Sequence, residues 1–401
     1  MSTTEMGQGT SPVQFTGTRG ELFGLLFRGY LLMLPTIGLY RFWVTTAKRR
    51  FYWQHTVIHG QPLEYTGSAT QLLIGFLIAL GIFLPIYAGF FYLSTQTSDI
   101  VIWGYALVGI VFWFAQGYAT YRARDFRLSR TLWRGIRFDQ KGSAIRYAIR
   151  RFLWSVLVVI TFGLAYPFMA AGLWRYRYGH TWYGDRQFSW TGNWKTIAGP
   201  YYIAWLIVVV LLLVVAFLVP ADLRTSGELI YPGPTGLITG FVAGFGILLA
   251  WLYFRSREAT RMFSAIRLGD AGLRVKVRMR TLLGQGLLYA LCGLVALVIF
   301  GIFFVGFVYS ISGGAGGDAQ DLARIAQSSI LNVVILLVGY LLFLGALGLF
   351  GEIFLGLGFW MTVARGATLV GGASLDTVRA TEEDRTLAGE GLADALNVGA
   401  Y

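Results

Sequence analysis

Charge is scarce in this sequence and cysteine almost absent. Only 13% of the 401 residues are Asp, Glu, Lys or Arg, while 56% are hydrophobic and 16% aromatic. Soluble domains carry about 25% charged residues. A water-soluble globule of this composition would leave too much apolar surface facing water, so lipid is the solvent that fits. Cys292 is the one cysteine, which excludes an intrachain disulfide and any cysteine-based metal site. Three histidines (His55, His59 and His180) without neighbouring acidic clusters give no basis for zinc, and no other metal or cofactor is expected. Gly-x-Ser-x-Gly, His-Glu-x-x-His, the P-loop and the dinucleotide fingerprint are all missing, so no catalytic residue is nominated and no enzyme is expected. Residues 1–20 lack the basic start and cleavage site of a signal peptide, so the first apolar segment should be retained.

What is present is a series of long apolar runs. A membrane helix needs about 20 such residues. Eight segments qualify: 22–47, 70–94, 100–120, 151–174, 199–220, 236–254, 282–311 and 330–362. The expected fold class is therefore all-α: a polytopic membrane helical bundle with internal parallel repeats, some of its apolar segments re-entrant or broken.

The net charge of +13 sits between these runs. Segment 122–151 has ten basic residues against Asp125 and Asp139, or +8; segment 254–280 has eight against Glu258 and Asp270, or +6. Segments 174–196 and 45–70 carry +3 (four against one) and +2 (three against one). By contrast 94–100, 221–235 and 312–329 are each −1. Basic loops flanking spans are cytoplasmic anchors for anionic headgroups, not a nucleic-acid surface. Positive-inside reasoning places the first four segments in the cytoplasm, and simple alternation then breaks. Segments 122–151 and 174–196 flank one apolar stretch, 151–174, yet both belong inside. Either one basic segment is translocated, or 151–174 does not cross; a re-entrant hairpin would resolve the conflict. The same treatment of 22–47 puts the N-terminus inside.

Those two segments are also related. At an offset of 125, residues 36–67 match 161–192, with identities at Thr36/Thr161, Gly38/Gly163, Leu39/Leu164, Arg50/Arg175, His55/His180, Thr56/Thr181, Thr66/Thr191 and Gly67/Gly192. Roughly two matches would arise by chance from ordinary residue usage. A weaker third copy runs from Gly345 to Asp376. The unit reads as an apolar helix reaching Thr-x-Gly-Leu, an interface belt of Arg and aromatic residues ending in His-Thr, a short alternating strand or turn, and an apolar hairpin with a basic exit (Tyr121–Asp125, echoed at Tyr253–Glu258). The expected organisation is a disordered tail over 1–14, repeats over 15–139 and 140–270, a divergent third unit over 271–379 and an acidic tail over 380–401.

These residues resemble the bacterial family named for a domain of unknown function, DUF898, the YjgN-like inner-membrane proteins. Phe15-Thr16-Gly17, the repeated Thr-x-Gly-Leu…Arg-aromatic…His motif, the basic exits and the tail Gly389–Leu396 carry the resemblance over nearly the whole chain. The extra apolar segment 282–311 with its Gly-rich loop departs from the pattern, and so does the loss of the His from the third copy. The resemblance implies an inner-membrane protein and brings no activity with it.

Three groups of residues stand out. Glu352 lies inside the last apolar run, with Arg28 and Arg41 as partners to consider; an intramembrane acid suggests function unless it sits at an interface or in a structural pair. Arg50, His55, Arg175 and His180 form an interface set that would meet lipid headgroups, or a proton relay. Arg127, Arg130, Arg134 and Arg137, interleaved with apolar residues, read as an amphipathic helix on the inner leaflet. The expectation is a multi-pass inner-membrane protein with both termini cytoplasmic, acting either as a transporter or channel for a small solute or lipid, or as a non-catalytic scaffold or envelope accessory protein. Its partners would be membrane lipids. Protein partners and oligomeric state stay open.

Overall fold

The computed structural model describes residues 10–95, 100–221, 223–226, 229–312 and 330–381. The Gly-rich loop and nearly all of the acidic tail named above lie outside them. The chain divides into two compact units: residues 1–16, 41–277 and 363–401 form one, which we call the sheet unit, and residues 17–40 and 278–362 form the other, the helical unit.

The all-α expectation is overturned by an eleven-stranded antiparallel sheet, although 72% of the described residues are helical. The strands are β1 (Thr10–Pro12), β2 (Gln14–Phe15), β3 (Thr56–Ile58), β4 (Gln61–Tyr65), β5 (Thr131–Trp133), β6 (Ile136–Gln140), β7 (Thr181–Tyr183), β8 (Arg186–Trp190), β11 (Ile266–Leu268), β12 (Ala271–Val275) and β13 (Ala367–Val370), ordered β1-β13-β12-β11-β8-β7-β6-β5-β4-β3-β2. β1 and β2 stand at opposite ends of that order but are separated in the chain only by Val13. One segment thus pairs with β13 on one side and β3 on the other, and the sheet nearly closes into a barrel-like ring. Residues 10–15, assigned above largely to a disordered tail, are this closing strand. The remaining strands, β9 (Leu223–Ser226) and β10 (Leu229–Pro232), form a separate hairpin.

Successive strands of the ring are joined in two alternating ways. Two-residue turns link β3–β4, β5–β6, β7–β8 and β11–β12. Their residues accept the left-handed backbone that such turns require: His59-Gly60 and Arg134-Gly135 have positive φ at both positions, and Gly184 and Gly269 at the first. Every other connection is helical. Helices α1 (Arg19–Met33) and α2 (Arg41–Gln54) connect β2 to β3; α3 (Ala69–Ser94) and α4 (Ile100–Ser129) connect β4 to β5; α5 (Ala144–Ile160) and α6 (Tyr166–Tyr178) connect β6 to β7; α7 (Lys195–Ala221) and α8 (Pro234–Ser264) connect β8 to β11. The last connection, β12 to β13, runs through α9 (Met279–Ser312), α10 (Ile330–Phe350), a π-helical turn (Gly351–Gly356) and α11 (Leu357–Arg365). In each case the two strands flanking the excursion are hydrogen-bonded neighbours.

Residues 122–151 are therefore not one amphipathic helix. They are the end of α4, the β5–β6 hairpin and the start of α5, which Ser143 caps by accepting from the Arg146 amide. Arginines three or four apart mimic a helical stripe, but Arg134-Gly135 makes the chain reverse between them.

Side chains fill the ring. Trp133, Tyr183, Leu268, Ala271 and Leu369 are buried together, with Phe138 and Phe188 packed against them. Leu375 and Val378 enter the same cluster from the segment after β13, whose 3-10 turn spans Gly372–Thr377. That segment is tied to the ring's turns: Arg134 pairs with Asp376 at 2.5 Å, and the Asp185 amide and carboxylate bond the Arg379 carbonyl and amide at 3.1 Å each. Burying one such large apolar side chain contributes about 2 kcal/mol.

Among the described residues, five helices are long and apolar enough to cross a membrane: 69–92, 195–220, 234–264, 279–310 and 330–365. Little of these stretches is buried inside the protein, and Leu206, Phe217, Phe241, Leu291 and Ile302 stand exposed. A continuous apolar surface of this kind calls for an apolar surrounding.

Tyr183 offers a test of the filled ring. Its hydroxyl donates to the Trp133 carbonyl at 2.9 Å, and burial pushes its pKa up to about 12, with Arg134 opposing. The unfolded side chain titrates near 10. The stabilisation is therefore complete below pH 10 and is lost as pH rises from 10 through 12. Chemical unfolding in detergent across that window should show stability falling, and Tyr183→Phe should make the fall shallower; equal slopes would contradict this account of the ring.

Candidate functional site

The two Thr-x-Gly-Leu motifs form the same turn. Thr36 Oγ1 bonds the Leu32 carbonyl and Thr161 Oγ1 the Leu157 carbonyl, each at 2.7 Å. The Gly38 and Gly163 amides reach back five residues to Met33 and Val158 at 2.8 and 2.7 Å. Ile37 and Phe162 both have φ +50°, and Gly38 and Gly163 follow at +80° and +94°. A left-handed conformation is costly for a β-branched residue such as Ile37. It is held in place by the bonds on either side. Ile37 is 94% and Phe162 85% exposed, so each turn carries an apolar side chain with nothing over it.

At the second turn the carbonyls are all taken. Trp205 Nε1 donates to Phe162 O at 2.9 Å, the Tyr201 hydroxyl to Gly163 O at 2.7 Å, and the Tyr202 hydroxyl to Leu164 O at 3.0 Å. Open backbone at membrane depth is tolerated only when its polar groups are satisfied by protein. Three adjacent donors on α7 meet that requirement. Sequence reasoning passed over them because Tyr-Tyr-x-x-Trp inside an apolar run looks like interface decoration.

The interface set occupies the ends of α2 and α6 and acts as bracing. Arg50 and Arg175 donate to the carbonyls of Gly67 and Gly192 just past β4 and β8, at 3.3 and 3.2 Å. His55 and His180 each place Nδ1 on the carbonyl four residues back, Phe51 at 2.8 Å and Tyr176 at 2.7 Å. A carbonyl only accepts, so Nδ1 carries the proton in both rings. His59 instead meets Ser11 Oγ at 3.0 Å. The basic exits repeat as well: Arg122 pairs with Asp125 at 2.9 Å and Arg255 with Glu258 at 2.8 Å, and Glu258 also accepts from the Tyr166 hydroxyl at 2.9 Å.

Glu352 lies in the helical unit, on the π-helical turn, whose widened spacing is marked by the Leu357 amide bonding the Glu352 carbonyl five residues back. Such turns occur often at functional sites. Glu352 is half-buried, and its charge is felt by the Tyr30 hydroxyl of α1, which lies beside Gly348. Nearby in the same unit, Gln285 of α9 donates to the Gly358 carbonyl at 3.0 Å and to Thr362 at 3.1 Å, and Arg19 sits 5.2 Å over the Phe354 ring. Arg28 is exposed on α1. Arg41 lies in the sheet unit, over the rings of Phe42 and Phe76 at 5.1 and 5.2 Å. The third copy of the repeat begins with Gly345–Phe350, which continues as helix and makes no turn.

A family model described as bacterial protein of unknown function (DUF898) matches residues 10–395. The chain belongs to the DUF898 family. The match begins at β1, so it takes in the segment that closes the ring as well as the helical excursions. No curated protein and no solved structure matches the chain.

The carbonyl clamp on this DUF898 chain yields a direct expectation. Trp205→Phe keeps the ring and removes the donor to Phe162 O, which should cost about 1 kcal/mol. Unfolding in a lipid-like detergent should show that loss, together with faster amide exchange at 161–165. Unchanged stability and exchange would mean the turn does not depend on the clamp.

Proposed function

We propose that this protein is a multi-pass protein of the bacterial inner membrane that works as a non-catalytic scaffold, its β ring forming a rigid platform on the cytoplasmic face. The observation that carries the reading is the filled ring. Trp133, Tyr183, Leu369 and Leu375 occupy the place where a conducting lumen would have to be, so the ring supports assembly and not conduction.

Sidedness follows from charge. The four basic segments named above contribute β3 to β8 and β11 to β12, all members of one sheet. Positive-inside reasoning then favours the cytoplasm for the ring and for the chain ends that join it, β1 and β13. With β6 paired to β7, the segment between them must return to the side it left. Helix α6 has 13 residues, about 20 Å at 1.5 Å per residue, against an apolar layer of about 30 Å. The hairpin of α5 and α6 thus suits one leaflet, with Phe162 at its deepest point. The basic residues around the ring would meet anionic lipid headgroups.

A second reading, transport of a small solute or lipid, is favoured by one feature, Glu352 on its π-helical turn beside Tyr30. Proteoliposomes separate the two. The scaffold reading expects no solute or ion flux above that of lipid alone, and no change with Glu352→Gln; a flux abolished by that substitution would establish transport instead. Sidedness has its own test. In a Cys292→Ser background, Asn193→Cys should react with an impermeant maleimide only after the inner membrane is opened. Labelling of intact spheroplasts would place that segment outside and defeat the re-entrant hairpin.

A further inference from the structure

The foot of α4 holds a half-buried positive charge with no negative partner among its close contacts. Arg124 Nη1 donates to Gln140 Oε1 at 2.6 Å and to Thr181 Oγ1 at 2.8 Å, and the guanidinium lies 4.9 Å over the Tyr178 ring. All three are neutral. The neighbouring carboxylate, Asp125, is engaged by Arg122. Burial lowers the pKa of Arg124, Tyr178 opposes this and the charge of Arg177 adds to it; Arg177 precedes Tyr178 in the chain, and its carbonyl accepts from the same Thr181 hydroxyl that Arg124 contacts. A buried charge is costly unless it is paired and hydrogen-bonded.

Three donors around this pair are short of the same thing. The Tyr121 hydroxyl, Gln140 Nε2 and Arg177 Nε are buried without a hydrogen bond of good geometry, the first two facing each other. Tyr121 is 1% and Gln140 3% exposed, and the Gln140 amide lies against the Tyr121 hydroxyl. Buried polar groups in folded proteins nearly always have a partner, protein or solvent. Gly142 packs directly against this group: a Cβ there would collide with the Tyr121 hydroxyl and the His180 ring. Arg124 and Arg177 retain partial exposure, so the cluster is reachable from outside.

Two guanidinium groups without a carboxylate, joined by unfilled donors, are complementary to one chemical class. We propose that Arg124, Arg177, Gln140 and Tyr121 form an oxyanion site that takes a phosphate group, either the head of a phospholipid or free phosphate. An oxyanion supplies the missing charge and several acceptors at once, and arginine is the side chain best matched to it. The site lies wholly in the sheet unit and holds whether the protein is a scaffold or a transporter.

The test is the thermal unfolding of the full chain, followed by tryptophan fluorescence. Inorganic phosphate is compared with chloride at equal ionic strength in neutral detergent. Phosphatidylglycerol-containing nanodiscs are compared with pure phosphatidylcholine ones. We expect a rise in midpoint of several degrees: with phosphate in detergent if the free anion is the ligand, with phosphatidylglycerol alone if the ligand is a lipid head. Arg124→Gln and Arg177→Gln should lose most of the shift, while Arg274→Gln, on an exposed strand position, should keep it. Gln140→Glu places a carboxylate beside Arg124; it should raise the midpoint without ligand and remove the response. That variant and Arg177→Gln decide the matter if Arg124→Gln fails to fold. No shift with either ligand, or a shift retained in both Gln140→Glu and Arg177→Gln, overturns the site and leaves the cluster to water.

Discussion

The pairing of strands across each helical excursion is the constraint on which the rest of this protein depends. β4 pairs with β5, β6 with β7, β8 with β11 and β12 with β13, and each pair encloses a helical insertion. Both ends of every excursion are thereby brought within one strand spacing of each other, about 4.8 Å. A segment held in this way cannot leave on one side of a membrane and end on the other. The alternating two-residue turns complete the arrangement, and residues 10–15 close it by serving two neighbours at once. An edge strand would offer unpaired backbone to other chains; near closure removes that hazard.

The long and short hairpins solve one problem in different ways. Helices α7 and α8 are long enough to span, and they satisfy their backbone groups within themselves. Helices α5 and α6, of 17 and 13 residues, are shorter, and the chain turns between them. Thr161 and Gly163 shape that turn, and Tyr201, Tyr202 and Trp205 occupy its carbonyls. The motif at Thr36 repeats the turn bond for bond, which extends the 125-residue sequence match to the level of individual hydrogen bonds. Within the sheet unit, Gly117 lets α4 approach Ala148 of α5, and Arg151 closes the contact by bonding Thr120 and Gln116. Small residues and side-chain hydrogen bonds are how helices associate in lipid, where burial of apolar surface gives no advantage.

Of the candidate residues, those with a local signal were found in the sequence and those that depend on folding were not. Glu352 is conspicuous as an acid within an apolar run, although nothing in its neighbours announces a π-helical turn. Arg50, His55, Arg175 and His180 were visible through repetition, and their bonds to nearby carbonyls show why the same residue types recur. The Arg124 cluster carried no such mark. Its members come from α4, β6, α6 and β7, and Arg124 looked like one more charge in a basic exit.

The sequence by itself determined where the apolar runs lie, which segments carry positive charge, and that 22–47 and 151–174 share one design. Hydropathy, charge and repetition are properties of neighbouring residues, so they survive without a structure. Tertiary structure alone decided that the basic segments are strands of one filled ring and that residues 10–15 close it. Strands of two to five residues have almost no independent stability, and they take their conformation from partners as distant as Ala367 is from Val13.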